Sequence, residues 1–379
     1  MHIDAIPLTT GFLIFISSLI SLRLGISVAI VEILLGSVAG NFGLRSEAWM
    51  QYLAGFGGII LTFLAGTEID AGMMRKTLKE SLLIGGMSFL LPFAAAGSAA
   101  YFFLHWTLRA SLIAGIALST TSLAVVYSVL VESDLSDTRI GKLLMSSTFI
   151  TDMGTALALS VLFIKPTWYT LLFYAVSATV IVFASRFSHH LFDHGMFKNK
   201  VVESEIKYLF LLLLTLIFFA NLGDGHAVLP AFVLGLCMSR YFGKASKHHL
   251  VIKRLRTVAY AIITPIFFIV GGLRISFPMI IAGLGLFLLF FFLKIIAKFA
   301  GIYFLAKKYI PHGSIYTTLL MSTGLTFGTI ASLFGLQAGI ITQSQYSILV
   351  GVVVASAVIP TFIAQKWFMP VEDEDMLEE

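Results

Sequence analysis

The residue best suited to chemistry in this chain is Asp152, in the middle of an apolar stretch from Ile140 to Phe163. A carboxylate at the centre of a bilayer costs about 2.5–3.5 kcal/mol on insertion scales, and such residues usually handle an ion, a proton or a cationic partner. This side chain can bind a cation when ionised and a proton when neutral. On a helix, Thr148 and Thr155 lie near its face. The type and position of Asp152 therefore predict a site at which a cation and a proton compete.

Two clusters of hydroxyl residues, 119–122 and 322–326, interrupt other apolar stretches. Unwound helix is tolerated at membrane depth only where it lines a cavity or is buried in protein, and broken helices in corresponding positions of two halves indicate a transport site. The alternative is that Ser and Thr bond their own backbone or join helices. Two such clusters favour the functional interpretation. The predicted cation- and proton-binding residues are Asp152, Thr151, Thr121, Ser122, Thr120, Ser147 and Thr148, and the residues predicted to line the broken helices are Ser119, Ser322, Thr323, Gly324 and Thr326.

Two lysines, Lys294 and Lys298, lie one turn apart in a further apolar stretch and are predicted to compensate charge. Lys298 could form a salt bridge with Asp152 that breaks on ion binding, or neutralise helix dipole ends at the breaks. The alternatives are snorkelling toward the cytoplasmic edge, or a purely structural pairing with Asp152. The sequence leaves the choice between the two lysines open.

The composition predicts an all-α polytopic membrane protein. The chain has 379 residues, of which 58% are hydrophobic and 12% charged, against about 45–50% and 25% in soluble domains. No alternating pattern indicates a barrel. No cofactor is predicted, and the net charge of +5 needs no nucleic-acid partner because loop topology explains it. About thirteen spans are predicted: 7–22, 26–40, 53–69, 82–104, 109–131, 140–163, 168–186, 206–222, 227–242, 256–271, 277–308, 314–337 and 346–367.

The distribution of Lys and Arg predicts the orientation of these spans. Loops after odd-numbered spans hold 19 basic residues, and the opposite side holds 4. By the positive-inside rule the N-terminus is then outside and the C-terminus cytoplasmic.

Three short sequence matches predict an internal repeat. Segments 32–36, 63–66 and 118–122 resemble 231–235, 268–271 and 321–326, at nearly one offset and seven spans apart. An odd number of crossings reverses direction, so the two halves would be inverted repeats with two discontinuous crossing helices, as in secondary transporters.

With these motifs the chain resembles the monovalent cation:proton antiporter-2 family, which includes bacterial sodium/proton antiporters and potassium-efflux systems. The resemblance covers nearly the whole membrane region. The matching segments are Glu32-Ile-Leu-Leu-Gly36 on span 2, Gly66-Thr-Glu-Ile-Asp70 at the end of span 3, Ser119-Thr-Thr-Ser-Leu-Ala124 at the first broken helix, Thr151-Asp152 at the acidic pair of span 6 and Lys298-Phe-Ala-Gly301 on span 11.

This resemblance implies a transport protein rather than an enzyme, in the inner membrane, and a homodimer. Residues 1–367 would form the antiporter domain, with a moving core of about 82–163 and 277–367, a dimerisation scaffold of the remaining spans, and a short acidic cytoplasmic tail at 368–379. The core is expected to move like an elevator. The substrates would be protons and a monovalent cation, sodium by preference, with lithium or potassium as alternatives.

One departure from the family pattern concerns stoichiometry. Relatives have Asp-Asp, Asn-Asp or Gln-Asp where this chain has Thr151-Asp152. A single carboxylate favours electroneutral exchange of one cation for one proton. Potassium-efflux relatives usually carry a C-terminal nucleotide-binding domain, and none follows here, which favours sodium.

Other functions remain as alternatives. They are a potassium/proton antiporter, a sodium-coupled organic-anion symporter, a channel and an intramembrane aspartyl protease. The protease reading is disfavoured because its Gly-x-Gly-Asp signature is absent at Asn221-Leu222-Gly223-Asp224.

Overall fold

The computed structural model describes residues 5–24, 28–67, 77–133, 135, 138–163, 167–193, 203–223, 227–242 and 249–370. The motif residues Glu68 and Asp70, the protease candidate Asp224 and the acidic tail from residue 371 lie outside these ranges.

Helices dominate the described residues, and no strand occurs among them, which confirms the all-α class. In chain order they are α1 (Ile6–Leu24), α2 (Val28–Asn41), α3 (Ala48–Thr67), α4 (Leu78–Ser98, with a π-helical turn at Ala99–Phe103), α5 (Leu108–Ser119), α6 (Leu123–Glu132), α7 (Arg139–Leu162), α8 (Trp168–Asp193), α9 (Ser204–Leu222), α10 (Val228–Phe242), α11 (His249–Val258, with a π-helical turn at Ala259–Ile263), α12 (Thr264–Leu273), α13 (Phe277–Ala282), α14 (Leu284–Tyr309), α15 (Ser314–Met321), α16 (Thr326–Gln337) and α17 (Gln343–Trp367).

Ten helical segments of the described chain are long and apolar enough to cross a membrane. Three shorter apolar helices accompany them, at Val28–Asn41, Leu108–Ser119 and Val228–Ser239. The count of thirteen spans and the orientation stay predictions. The predicted span 277–308 is divided at Gly283, whose backbone angles of φ −100° and ψ 23° lie outside the α-helical range between α13 and α14.

The chain contains two compact units. The first contains Met1–Ser46, Met73–Thr155 and Phe268–Glu379. Buried apolar side chains of α4, α6, α7, α14 and α15 form one core in this unit, among them Ile84, Val126, Leu144, Ile302, Tyr316 and Met321. Met321, the last residue of α15, belongs to this core.

The second unit contains Glu47–Gly72 and Ala156–Phe267. Within it α3 and α10 are in backbone contact, because a Cβ at Gly66 would collide with Phe232 O and one at Gly235 with Phe63 O. Small residues permit such close packing of membrane helices. At one end of the unit, Arg254 of α11 pairs with Glu203 at 2.6 Å and Glu205 at 3.2 Å.

Candidate functional site

A first break, residues 120–122, separates α5 from α6 within the predicted span 5. The Ser119 hydroxyl donates to Ile116 O at 2.9 Å, and the Thr120 hydroxyl donates to Ala117 O at 3.0 Å. Carbonyls in the last turn of a helix have no partner further along it. The two hydroxyls supply that partner, so the helix can end while buried in the protein.

A second break, residues 322–325, separates α15 from α16. Here the Ser322 hydroxyl donates to Thr318 O and the Thr323 hydroxyl donates to Leu320 O, both at 2.7 Å. A serine followed by a threonine therefore ends the helix in the same way as at the first break. Ser and Thr compete with helical hydrogen bonding by such local bonds.

The two breaks touch each other. The Thr121 hydroxyl donates to Met321 O at 2.9 Å, and the Ser122 N–H donates to the Thr323 hydroxyl at 3.4 Å. A Cβ at Gly328 would lie 2.8 Å from Ala117 O, so α16 also passes close to the end of α5. The structure thus brings the two predicted hydroxyl clusters together in one place.

Lys298 joins the first break to two other helices. Its side chain is fully buried, and Nζ donates to Ser119 O at 2.7 Å, Ser88 Oγ at 2.7 Å and Thr121 Oγ1 at 3.0 Å. An ammonium carries three N–H donors, so each has an acceptor. The Ser119 carbonyl also lies at the negative end of the α5 dipole. The ammonium is therefore placed where it neutralises the end of that helix.

Lys294 lies one turn away on α14 and approaches the second break. Its side chain is also fully buried, and Nζ donates to Ser356 Oγ of α17 at 2.9 Å. A Cβ at Gly324 would collide with this Nζ, so the absence of a side chain at Gly324 leaves space for the ammonium. Each break therefore has its own lysine.

Asp152 lies in the middle of α7 and is 2% exposed. Its carboxylate interacts electrostatically with the Lys298 ammonium. One turn earlier on the same face, the Thr148 hydroxyl donates to Met321 Sδ at 3.4 Å. α7 therefore presents Asp152 on the face that contacts the second break.

The other predicted residues around Asp152 differ in their contacts. The Thr151 hydroxyl donates to the carbonyls of Gly85 (3.2 Å) and Ser147 (3.1 Å), so it joins α7 to α4. The Ser147 hydroxyl is buried without a hydrogen-bond partner among the described residues. Thr326 is partly buried, and no hydrogen bond joins its side chain to the rest of the site in the described chain. Their roles as ligands stay predictions.

Two residues of the site were not predicted from the sequence. Ser88 of α4 accepts a hydrogen bond from Lys298, and Ser356 of α17 accepts one from Lys294. Each is an isolated hydroxyl in the middle of an apolar stretch. That position was a usable signal, because such hydroxyls commonly bond across helices in membranes.

Comparison with known proteins identifies the family. The model of the transmembrane sodium/hydrogen exchanger family matches residues 11–368. A probable Na(+)/H(+) antiporter 3 of Methanocaldococcus jannaschii is 26% identical over 90% of each chain. A putative Na(+)/H(+) antiporter YjbQ of Bacillus subtilis is 24% identical over 91% of this chain, which spans 60% of that protein.

A solved structure has a similar fold. The sodium proton antiporter MjNhaP1 of M. jannaschii, determined at pH 8, superimposes with a TM-score of 0.70 at 16% identity, covering 97% of this chain and 100% of that one. Together with the ten apolar helices, these matches show a multi-pass integral membrane protein. The prediction of a monovalent cation:proton antiporter is confirmed at the level of the family, and the chain belongs to the transmembrane sodium/hydrogen exchangers.

Proposed function

We propose that this protein is a secondary active transporter that exchanges a monovalent cation, with sodium favoured, for protons at one site centred on Asp152. The observation that carries the proposal is the position of Asp152, which is 2% exposed on the apolar helix α7. The face of α7 that carries Asp152 also contacts the second break through Thr148. Intramembrane acids of this kind mark ion and proton pathways. The antiporter names of the relatives support this class of substrate.

The oxygen ligands for the cation come from Asp152 and from the two breaks. Discontinuous membrane helices coordinate sodium through backbone carbonyls freed by unwinding. The hydroxyls of Thr121, Thr148 and Ser122 surround this region, and Thr121 and Ser122 bond across to the second break. Thr151 is a weaker candidate ligand because its hydroxyl bonds two backbone carbonyls.

Alternating access would follow from the repeated architecture. In the proposal the two broken helices cross at the site, belong to inverted repeats, and move with a core of about 82–163 and 277–367 against a dimerisation scaffold. The first compact unit contains the site residues of both segments, and it also contains residues 1–46, which the proposal assigns to the scaffold. The elevator movement and the homodimer are parts of the same proposal.

The charge at the site favours electroneutral exchange. Thr151 precedes Asp152 where relatives have a second acid or an amide, so the pair contributes one carboxylate. Exchange of one cation for one proton then moves no net charge. Proteoliposomes with an imposed sodium gradient and a potential-sensitive dye test this point, and a membrane potential generated by the exchanger would show that exchange is electrogenic.

Asp152→Asn tests the site itself. In proteoliposomes that contain a pH-sensitive dye, the variant is expected to lose sodium-driven proton flux because the amide cannot bind a cation by charge. Sodium, lithium, potassium and rubidium are added separately, so the same assay gives the selectivity of the wild type.

Glu32→Gln is the matched control, because Glu32 is also 2% exposed in an apolar helix of the first unit. It is expected to retain exchange and to show that loss of a buried carboxylate is not sufficient to stop transport. Normal sodium-driven proton flux through Asp152→Asn would refute the assignment of the site.

A further inference from the structure

The two serines that bond the buried lysines of α14 share a sequence feature. Ser88 of α4 and Ser356 of α17 each accept a hydrogen bond from one of these lysines. Pro92 follows Ser88 at an interval of four residues, and a second proline, Pro360, follows Ser356 at the same interval. Both prolines are buried in the interior of their helices. The other prolines of the described chain lie in the first turn of a helix or outside the α-helices.

A proline inside a helix frees one particular carbonyl. It has no N–H, so the carbonyl four residues earlier loses its helical donor, and the ring pushes against that same carbonyl and kinks the helix. The freed carbonyls here are those of Ser88 and Ser356, and both serines are fully buried. At membrane depth a freed carbonyl has to be satisfied by neighbouring groups. The lysine ammonium that already contacts each serine is such a group.

The contact between Lys294 and α17 leaves a need for a further acceptor. The Ser356 hydroxyl donates its own proton to Val353 O at 2.8 Å and accepts from Lys294 Nζ at 2.9 Å. An ammonium has three N–H donors, and the other two of Lys294 have no acceptor among the described residues. A buried charge is costly unless hydrogen bonds and dipoles compensate it. The freed Ser356 carbonyl offers that compensation, because it belongs to the serine that already binds this ammonium.

The contact between Lys298 and α4 depends less on such a carbonyl. Nζ of Lys298 donates to Ser88 Oγ at 2.7 Å and to two further oxygens of the first break at 2.7 and 3.0 Å, so each N–H has an acceptor. The Ser88 carbonyl, freed by Pro92, adds a dipole to a set that is already complete. Replacement of Pro92 should therefore have a smaller effect than replacement of Pro360.

We propose that Pro360, and more weakly Pro92, are positioning residues of the cation site: each keeps a serine carbonyl free of its own helix, and the dipole of that carbonyl holds a lysine ammonium beside a helix break. Neither proline touches the cation. An ammonium that lost this acceptor would turn toward the oxygens of Asp152 and of the breaks and compete with the cation for them. The inference rests on the proposed function and adds to it what keeps the two ammonium groups away from the cation ligands.

Substitution of each proline by valine tests this role. Valine is close to proline in volume and supplies the missing N–H, so the serine carbonyl returns to its own helix. In calorimetric titrations of the purified full-length protein with sodium chloride, Pro360→Val is expected to lower sodium affinity by at least about threefold, a typical coupling between contacting groups. Pro92→Val should lower it by less. If either valine variant is not monodisperse, the alanine variant, which also has the N–H, takes its place.

A double-mutant cycle separates this role from a simple bend in the helix. In a Lys294→Met background, Pro360→Val should change sodium affinity by no more than about twofold, because the ammonium on which the carbonyl acts is gone. In a Lys298→Met background it should keep its full effect. Thermal midpoints complete the cycle for any variant that binds no sodium. Pro360→Val should raise the midpoint in Lys294→Met by restoring a helical hydrogen bond, and should raise it less in the wild type, where it also deprives the ammonium of an acceptor.

The outcomes distinguish this inference from the proposed function. Absence of sodium binding by the wild type would overturn both. Sodium affinity that is unchanged or higher in Pro360→Val would overturn the role of Pro360 and leave the cation site standing. Equal effects of Pro360→Val in the wild type and in Lys294→Met, on affinity or on midpoint, would show that the proline acts only on the shape of α17.

Discussion

The substitution Thr121→Val removes a hydroxyl of the first break that forms hydrogen bonds with Lys298 and with Met321 at the second break. The Thr121 hydroxyl accepts a hydrogen bond from Lys298 Nζ at 3.0 Å and donates its own proton to Met321 O at 2.9 Å. Its oxygen also lies 3.3 Å from Ser88 Oγ. Valine has nearly the same shape, so the substitution leaves the packing in place. What is lost is the link between the first break, the second break and α14.

The size of the effect follows from these bonds. A hydrogen bond to a charged group contributes about 1.5–3 kcal/mol and a neutral one about 0.5–1.5 kcal/mol. The free energy of unfolding should therefore fall by roughly 2–4 kcal/mol. For a chain of 379 residues, the usual unfolding entropy converts this loss to a midpoint lower by about 2–5 °C. Apparent sodium affinity should fall at least about tenfold, which corresponds to 1.4 kcal/mol at the disturbed site.

Thr318→Val is the matched control for this experiment. Thr318 is also fully buried near the second break, but its hydroxyl donates to Ser314 O within its own helix at 2.7 Å. Its loss should cost about 0.5–1.5 kcal/mol and leave sodium affinity unchanged. Thermal unfolding in detergent and initial proton flux against sodium concentration measure both variants. Equal midpoints and equal affinities for the two valine variants would refute the reasoning.

Two further predictions concern packing and surface charge. A Cβ at Gly85 would meet Ile150 Cβ at 2.7 Å and collide with Ser147 O, whereas one at Gly86 would meet nothing within 4 Å. Gly85→Ala should therefore cost about 1–3 kcal/mol by overpacking, and Gly86→Ala should stabilise by about 0.4–1 kcal/mol. Thermal midpoints that shift in the same direction would contradict this. Arg254→Ala removes a partly exposed ion pair with Glu203 and leaves the Glu205 carboxylate, which is 9% exposed, without this partner. It should therefore cost about 1–3 kcal/mol, and the part due to Glu203 should fall at high salt. A loss of midpoint that does not change with salt would count against that assignment.

The positions of the breaks followed from the sequence because their cause is local. Serine and threonine side chains bond carbonyls three or four residues earlier, and α5 and α15 end at Ser119 and Met321 for that reason. The all-α class followed from composition, since the apolar stretches are long enough to span. Asp152 was recognisable because a lone acid in such a stretch is rare.

The partners of the lysines did not follow from the sequence because their cause is not local. Ser88 lies 210 residues from Lys298 along the chain, and Ser356 lies 62 residues from Lys294. Which hydroxyl meets which ammonium depends on the relative rotation and register of packed helices. The periodicity of one helix contains no information about either quantity. The division of the predicted span 277–308 at Gly283 was missed because an isolated glycine in an apolar stretch is usually tolerated within a helix.

The three hydrogen bonds of Lys298 have a mechanical consequence. They fasten α14 to Ser88 of α4 and to Ser119 and Thr121 around the end of α5. A movement of α4 alone would break one of these charge-assisted hydrogen bonds, and a movement of α14 alone would break all three. Each broken bond would cost about 1.5–3 kcal/mol. A displacement that opens this region to the opposite side therefore costs the least free energy when these helices move together as one rigid body, held by the Lys298 ammonium.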